Sequence, residues 1–122
     1  MSMSVQEIAA RLTELCRQGK YDIAQKELYS KDAESFEPVG SPGLQTVKGL
    51  DAIIEKGNQF QRMIEEVHSS TVSEPIIAGN TFAVAAVLDL TLKGMGRVPM
   101  EELAVYEVKD GKVVKEQFFY RT

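Results

Sequence analysis

The stretch TFAVAAVLDLTLK, residues 81–93, decides the fold. It is dense in β-branched and aliphatic side chains, lacks helical spacing, and carries one acid, Asp89, in an otherwise apolar run. It reads as a strand. The glycines of GMG (94–96) then make a turn into RVPMEELAVYEVK (97–109), and Asp110-Gly111, a strong hairpin signal, leads to KVVKEQFFYRT (112–122). Upstream, VHSSTVSEPIIAG (67–79) reads as a further strand that turns at Gly79-Asn80. The second half is therefore an antiparallel meander.

The first half is helical. Ser4 and Glu7 make a capping box, Val5, Ile8, Leu12 and Leu15 follow at helical spacing, and Gly19 supplies a stop. A shorter helix is expected over about 21–29, with Tyr21, Ala24 and Leu28 on one side and SKD interrupting it. The pattern is extended over 33–39, and VGSPG (39–43) is a loop. A third helix is expected over about 50–66, its apolar face made of Leu50, Ile53, Ile54, Gly57, Phe60 and Ile64. Helices followed by a meander imply a single α+β domain over residues 1–122. In it, three helices pack on one face of a strongly curved, mostly antiparallel sheet of about four to six strands.

At 122 residues the chain can bury one core, and its 43% hydrophobic and 26% charged residues are ordinary globular values. A net charge of -4 with a pI near 5.0 opposes binding to nucleic acid or anionic lipid. No apolar run approaches the roughly 20 residues of a membrane helix, and MSMSVQEIAARL lacks the pattern of a secretory leader, so a cytoplasmic location is expected. The lone Cys16 falls on the apolar stripe of the first helix and reads as core.

The order of elements, with the phrases ELYSKDAESFEPVGSPG (27–43) and YEVKDGKVVKEQFFY (106–120), resembles the nuclear transport factor 2-like superfamily and, within it, the SnoaL-like proteins. The resemblance covers nearly the whole chain. It implies a cone whose mouth opens between helices and sheet, a small apolar ligand inside, and a homodimer. The first half is also similar to the ketosteroid isomerases, where a segment like FEPVGS carries the general base. On that likeness Glu37 stands at the base position, while the two oxyanion donors of that family fall at Leu12 and Ala104 and are missing here.

Glu37 also has a case of its own. Phe36 and Pro38 hydrate poorly, so a carboxylate between them at a pocket rim is partly desolvated, its pKa is raised, and it suits proton abstraction beside a carbonyl; the plain alternative points it to solvent. Asp89 must reach water or be paired. If GMG is a three-residue loop, Lys93 pairs with Arg97, Asp89 lies opposite Glu101 on the outer face, and Phe82, Val84, Leu88 and Leu90 line the interior. If the loop differs by one residue, Asp89 lies opposite Glu102, and Ala83 and Ala85 face Tyr106 around a cavity that both acids reach. The second register is preferred, because small residues opposite an aromatic leave space.

Glu116 alternates with Val114, Phe118 and Tyr120, which makes it a candidate buried carboxylate able to share a proton with the other acids. Phe60, Met63, His68, Glu102, Tyr106, Phe118 and Tyr120 are the expected pocket residues, although His68, the only histidine, lacks metal-ligand spacing and suits a structural role as well. Catalysis would rest on Glu37, Asp89 and Glu116, with no cofactor and no metal. The expected activity is binding of a small apolar or polycyclic carbonyl compound, with isomerisation, cyclisation or dehydration. The competing readings are a non-catalytic dimeric ligand-binding module and a protein-interaction adaptor. Dimerisation is expected through the outer sheet face, since both faces of 81–93 are apolar.

Overall fold

The computed structural model describes residues 2–41 and 44–121. Pro42 and Gly43, which belong to the expected loop at 39–43, lie outside the described residues, as does Thr122. The element order is α1 (Val5–Arg17), α2 (Tyr21–Leu28), β1 (Tyr29–Phe36), β2 (Val47–Lys48), α3 (Leu50–Met63), β3 (Ile64–Val72), β4 (Ile76–Ala78), β5 (Thr81–Leu92), β6 (Gly96–Lys109) and β7 (Lys112–Phe119). The sheet runs β2-β1-β7-β6-β5-β3, with β4 also on β5. It is curved and unclosed, and every described pairing is antiparallel except β1 with β7, which is parallel.

Local chemistry accounts for the elements. The Ser4 backbone N–H donates to Glu7 Oε1 at 2.9 Å while the Glu7 N–H donates to Ser4 Oγ at 3.1 Å, closing the capping box of α1. Asp110 and Gly111 have φ of 53° and 75°, the pair of positive values a type I′ hairpin turn requires. α3 stops at Met63, three residues short of expectation, because Ile64 opens β3 opposite Leu92. α2 ends at Leu28 ahead of SKD as expected, but SKD lies inside β1, which alternates Ala33 and Ser35 inward while Lys31 and Asp32 stay exposed. No helix among the described residues is long and apolar enough to cross a membrane.

The core lies between the helices and the inner sheet face, where Ile8, Leu28, Ile53, Phe82, Leu90 and Val113 are fully buried. Phe82 stacks on Tyr106 with ring centroids 4.9 Å apart.

The β5–β6 register matches neither expectation. The turn is Lys93-Gly94-Met95: the Met95 N–H donates to the Leu92 carbonyl at 3.1 Å, and Gly94 takes φ 77° at the position where a type II turn needs it positive. Leu92 therefore faces Gly96, and Asp89 faces Pro99. This is a two-residue slide from the first register, so the faces are those of the first and the preferred second register is overturned. Phe82, Val84, Leu88 and Leu90 point inward, and Ala83 and Ala85 point out. In β7, Val113 rather than Val114 is buried, because the β6–β7 register shifts between Glu107 and Val108. On the outer face Val87, Leu103 and Phe119 are exposed.

The inside–outside assignment is checked by unfolding in urea. Phe82→Ala should lose about 3–5 kcal/mol, and Val87→Ala no more than about 0.5 kcal/mol. Equal losses would contradict the register.

Candidate functional site

The sheet's concave face and the helices enclose a cavity of about 470 Å³, with walls mostly apolar. Its room comes from Ala86 on β5 and Ala104 on β6, small side chains at positions where Phe82 and Tyr106 fill the neighbouring part of the cone. Ala86 faces Glu102 across the strand pair, so a carboxyl projects over the space the alanine leaves.

The charged side chains on the wall include Arg17 and Asp22 beside the helices and, against the sheet, the four Glu37, Lys56, Glu102 and Glu116. Three of these four belong to one hydrogen-bonded line. Lys56, on α3 between Ile53 and Phe60, donates from Nζ to Ser35 Oγ at 2.7 Å and to Glu37 Oε2 at 2.7 Å. Ser35, at the end of β1, donates to Glu116 Oε2 at 2.6 Å, and the buried Tyr29 hydroxyl donates to Glu116 Oε1. Tyr120 donates to Glu37 Oε1 at 2.6 Å and is itself bonded to Ser41. The side chains of Lys56 and Glu37 are only 10% and 5% exposed, so this is a buried ion pair rather than a surface one.

Both oxygens of Glu37 and both of Glu116 are thus engaged. Burial, the largest influence, pushes the Glu116 carboxyl up, against the lowering effect of Ser35, Tyr29 and Lys56. Glu102 differs: among the described residues no side chain hydrogen-bonds its carboxyl. Burial above all, with the Glu37 and Glu116 carboxylates adding and Lys56 opposing, pushes it from 4.5 up to about 7. Cys16, also on the wall, is pushed by burial to about 12 and stays a thiol.

Of the residues singled out from sequence, Glu37, Phe60, Glu102, Tyr106, Glu116 and Phe118 line the cavity. Tyr120 reaches it through Glu37. Asp89 does not: it lies on the outer face, held by a two-pronged pair with Arg97 at 3.0 and 2.7 Å, because the register fixes odd-numbered β5 residues outward. His68 is also outside, its Nε2 2.7 Å from Thr91 Oγ1 and its Nδ1 2.8 Å from Glu66. Met63 ends α3 away from the cavity, its carbonyl accepting from the Lys93 N–H at 2.8 Å. Lys56 and Ser35 were missed. The signals were a lysine three residues beyond Ile53 and four before Phe60, on the helix's apolar face, and a serine alternating with Ala33 and Glu37.

The Glu102 environment has a measurable consequence. Between pH 4.5 and about 7 the unfolded chain releases this proton and the folded chain keeps it, so stability present at low pH is lost as pH rises across that window. The stability of wild type minus that of Glu102→Gln should fall by about 3 kcal/mol over the window, and a flat difference would contradict the assignment.

The family model of the SnoaL-like domain matches residues 3–120. A Mesorhizobium loti protein named as a SnoaL-like polyketide cyclase is 35% identical and superposes with a TM-score of 0.89 over 97% of this chain and 100% of its own. An NTF2-like protein of Burkholderia thailandensis has a TM-score of 0.83 at 17% identity, covering 98% of this chain and 92% of its own. A ketosteroid isomerase-like fold from Catenulispora acidiphila, solved with trimethylamine, has a TM-score of 0.72 at 19% identity over 93% and 85%. Among curated proteins none matches. With the family model spanning almost every residue, this chain belongs to the SnoaL-like domain family.

Proposed function

We propose that the cavity binds a small, mostly apolar carbonyl compound and that Glu102 moves a proton on the carbon beside the carbonyl. The observation that carries this reading is the Glu102 carboxyl, unpaired among the described residues, on the wall of a mostly apolar cavity. Its pKa of about 7 leaves both protonation states populated near neutral pH, which is where acid-base transfer works best. In the forward step the Glu102 carboxylate takes the C–H proton and the electron pair moves onto the carbonyl oxygen; returning the proton at another carbon completes an isomerisation. Cyclisation or dehydration would begin with the same transfer. Glu37, expected from sequence as the base, is the weaker choice, since Lys56 and Tyr120 already occupy its two oxygens. Its role is to hold Lys56. The polyketide cyclase name of the Mesorhizobium loti relative is in keeping with a polycyclic carbonyl ligand.

The second reading is ligand binding without turnover. It is favoured by Leu12 and Ala104, apolar wall residues at the two positions where the ketosteroid isomerases place their oxyanion donors. A second copy of the chain is the proposed cover for Val87, Leu103 and Phe119 on the outer face.

The two readings separate in deuterated buffer with cyclic ketones and enones as probes. Proton transfer predicts that wild type exchanges the hydrogens beside the carbonyl, followed by NMR, and that Glu102→Gln slows exchange by about a hundredfold or more. Raised thermal stability with the probe but no exchange would leave binding alone. Exchange unchanged by the substitution would overturn the role of Glu102.

A further inference from the structure

We propose that Lys56 is the oxyanion-binding group of the cavity, donating to the ligand oxygen on which negative charge develops, so that the ligands are enolisable ketones or phenols. This deepens, and rests on, the reading of the cavity as a carbonyl site.

An ammonium carries three hydrogens and accepts none. Two of those of Lys56 go to Ser35 Oγ and Glu37 Oε2, each at 2.7 Å. No third hydrogen-bond acceptor is present among the described residues, and the ammonium also lies over the Phe118 ring, 5.7 Å from its centroid. Lys56 is on the cavity wall, so one charged N–H remains for what the cavity holds. The two existing bonds fix the nitrogen from the sides, as a preorganised donor requires.

The charge movement of the proposed reaction agrees with this placement. Before transfer the negative charge is on Glu102, which the carboxylates of Glu37 and Glu116 disfavour. After transfer Glu102 is neutral and the charge is on the ligand oxygen. A cation fixed on the same wall stabilises the second arrangement more than the first, provided that oxygen lies against Lys56. Lys56 would thus supply what Leu12 and Ala104 cannot. A purely structural lysine, by contrast, would need only the Glu37 partner it already has.

The test uses nitrophenols of graded acidity as probes, with phenolate absorbance and affinity read together. Lys56→Met alone strands the buried Glu37 carboxylate and is expected to destabilise the fold, so the informative variant is Lys56→Met with Glu37→Gln, which removes both charges. Wild type should bind the probes as phenolates, more tightly the more acidic the phenol. Glu37→Gln, which leaves the ammonium unpaired, should keep or strengthen that capture. The double variant should lose about tenfold or more in affinity and bind the neutral phenol. Phenolate capture of undiminished affinity in the double variant would overturn the role of Lys56 and leave Glu102 untouched. Conversely, phenolate capture that depends on Lys56, in a protein that exchanges no ketone hydrogens, would uphold Lys56 and overturn the catalytic reading. Wild type that binds no probe would overturn both.

Discussion

A buried ammonium has few ways to be stable, and the site is organised around the way Lys56 is satisfied. Lys56 can only donate, so Ser35 must accept from it and has a single hydrogen left, which goes to Glu116. Glu37 must accept from it too, which leaves its other oxygen for Tyr120 and makes the Tyr120 oxygen an acceptor for Ser41. One charged nitrogen thereby sets the direction of bonds spread over α3, β1, β7 and the segment after β1. Removing it would leave a carboxylate without its partner in a medium that penalises unpaired charge. The line also spans the parallel β1–β7 pair, whose register places Ser35 opposite Glu116.

The cavity follows from a second constraint, the sheet register. With Leu92 opposite Gly96, even-numbered residues of β5 and β6 face the helices, and the inner face receives Phe82 and Tyr106 at one end and Ala86 and Ala104 beyond them. Large residues fill one part of the cone and small ones leave the rest open. Glu102 comes inside by the same parity that puts Asp89 outside. The carboxyl that lacks a partner among the described residues and those that are fully engaged therefore share one cavity.

Much of the fold was legible from short-range patterns. The capping box at Ser4, the helical stripe Ile8-Leu12-Leu15 and the Asp110-Gly111 turn are local, and each formed as expected. The β1–β7 pairing joins segments some eighty residues apart and leaves no local trace, so the extended pattern is legible only from Ala33 while the strand itself begins at Tyr29. The β5–β6 register was ambiguous because two glycines flank Met95 and each can serve the turn. Within the site, acids in apolar surroundings stood out: Glu37 and Glu116 are both buried. Lys56 did not, since a lysine on a helix is ordinarily a solvated residue and only tertiary burial marks it. Asp89 stood out for the wrong reason, its strand being apolar on both faces.

In the proposed function one carboxyl of this cavity, Glu102, exchanges protons near neutral pH while the Lys56 network holds Glu37 and Glu116. The most direct measurement is a pH titration of the side-chain carboxyl resonances of glutamate-labelled protein by carbon NMR, assigned with Glu102→Gln. Wild type should show a resonance with a midpoint of about 7 that is missing from the variant. A Glu102 midpoint at the ordinary 4.5 would contradict this role.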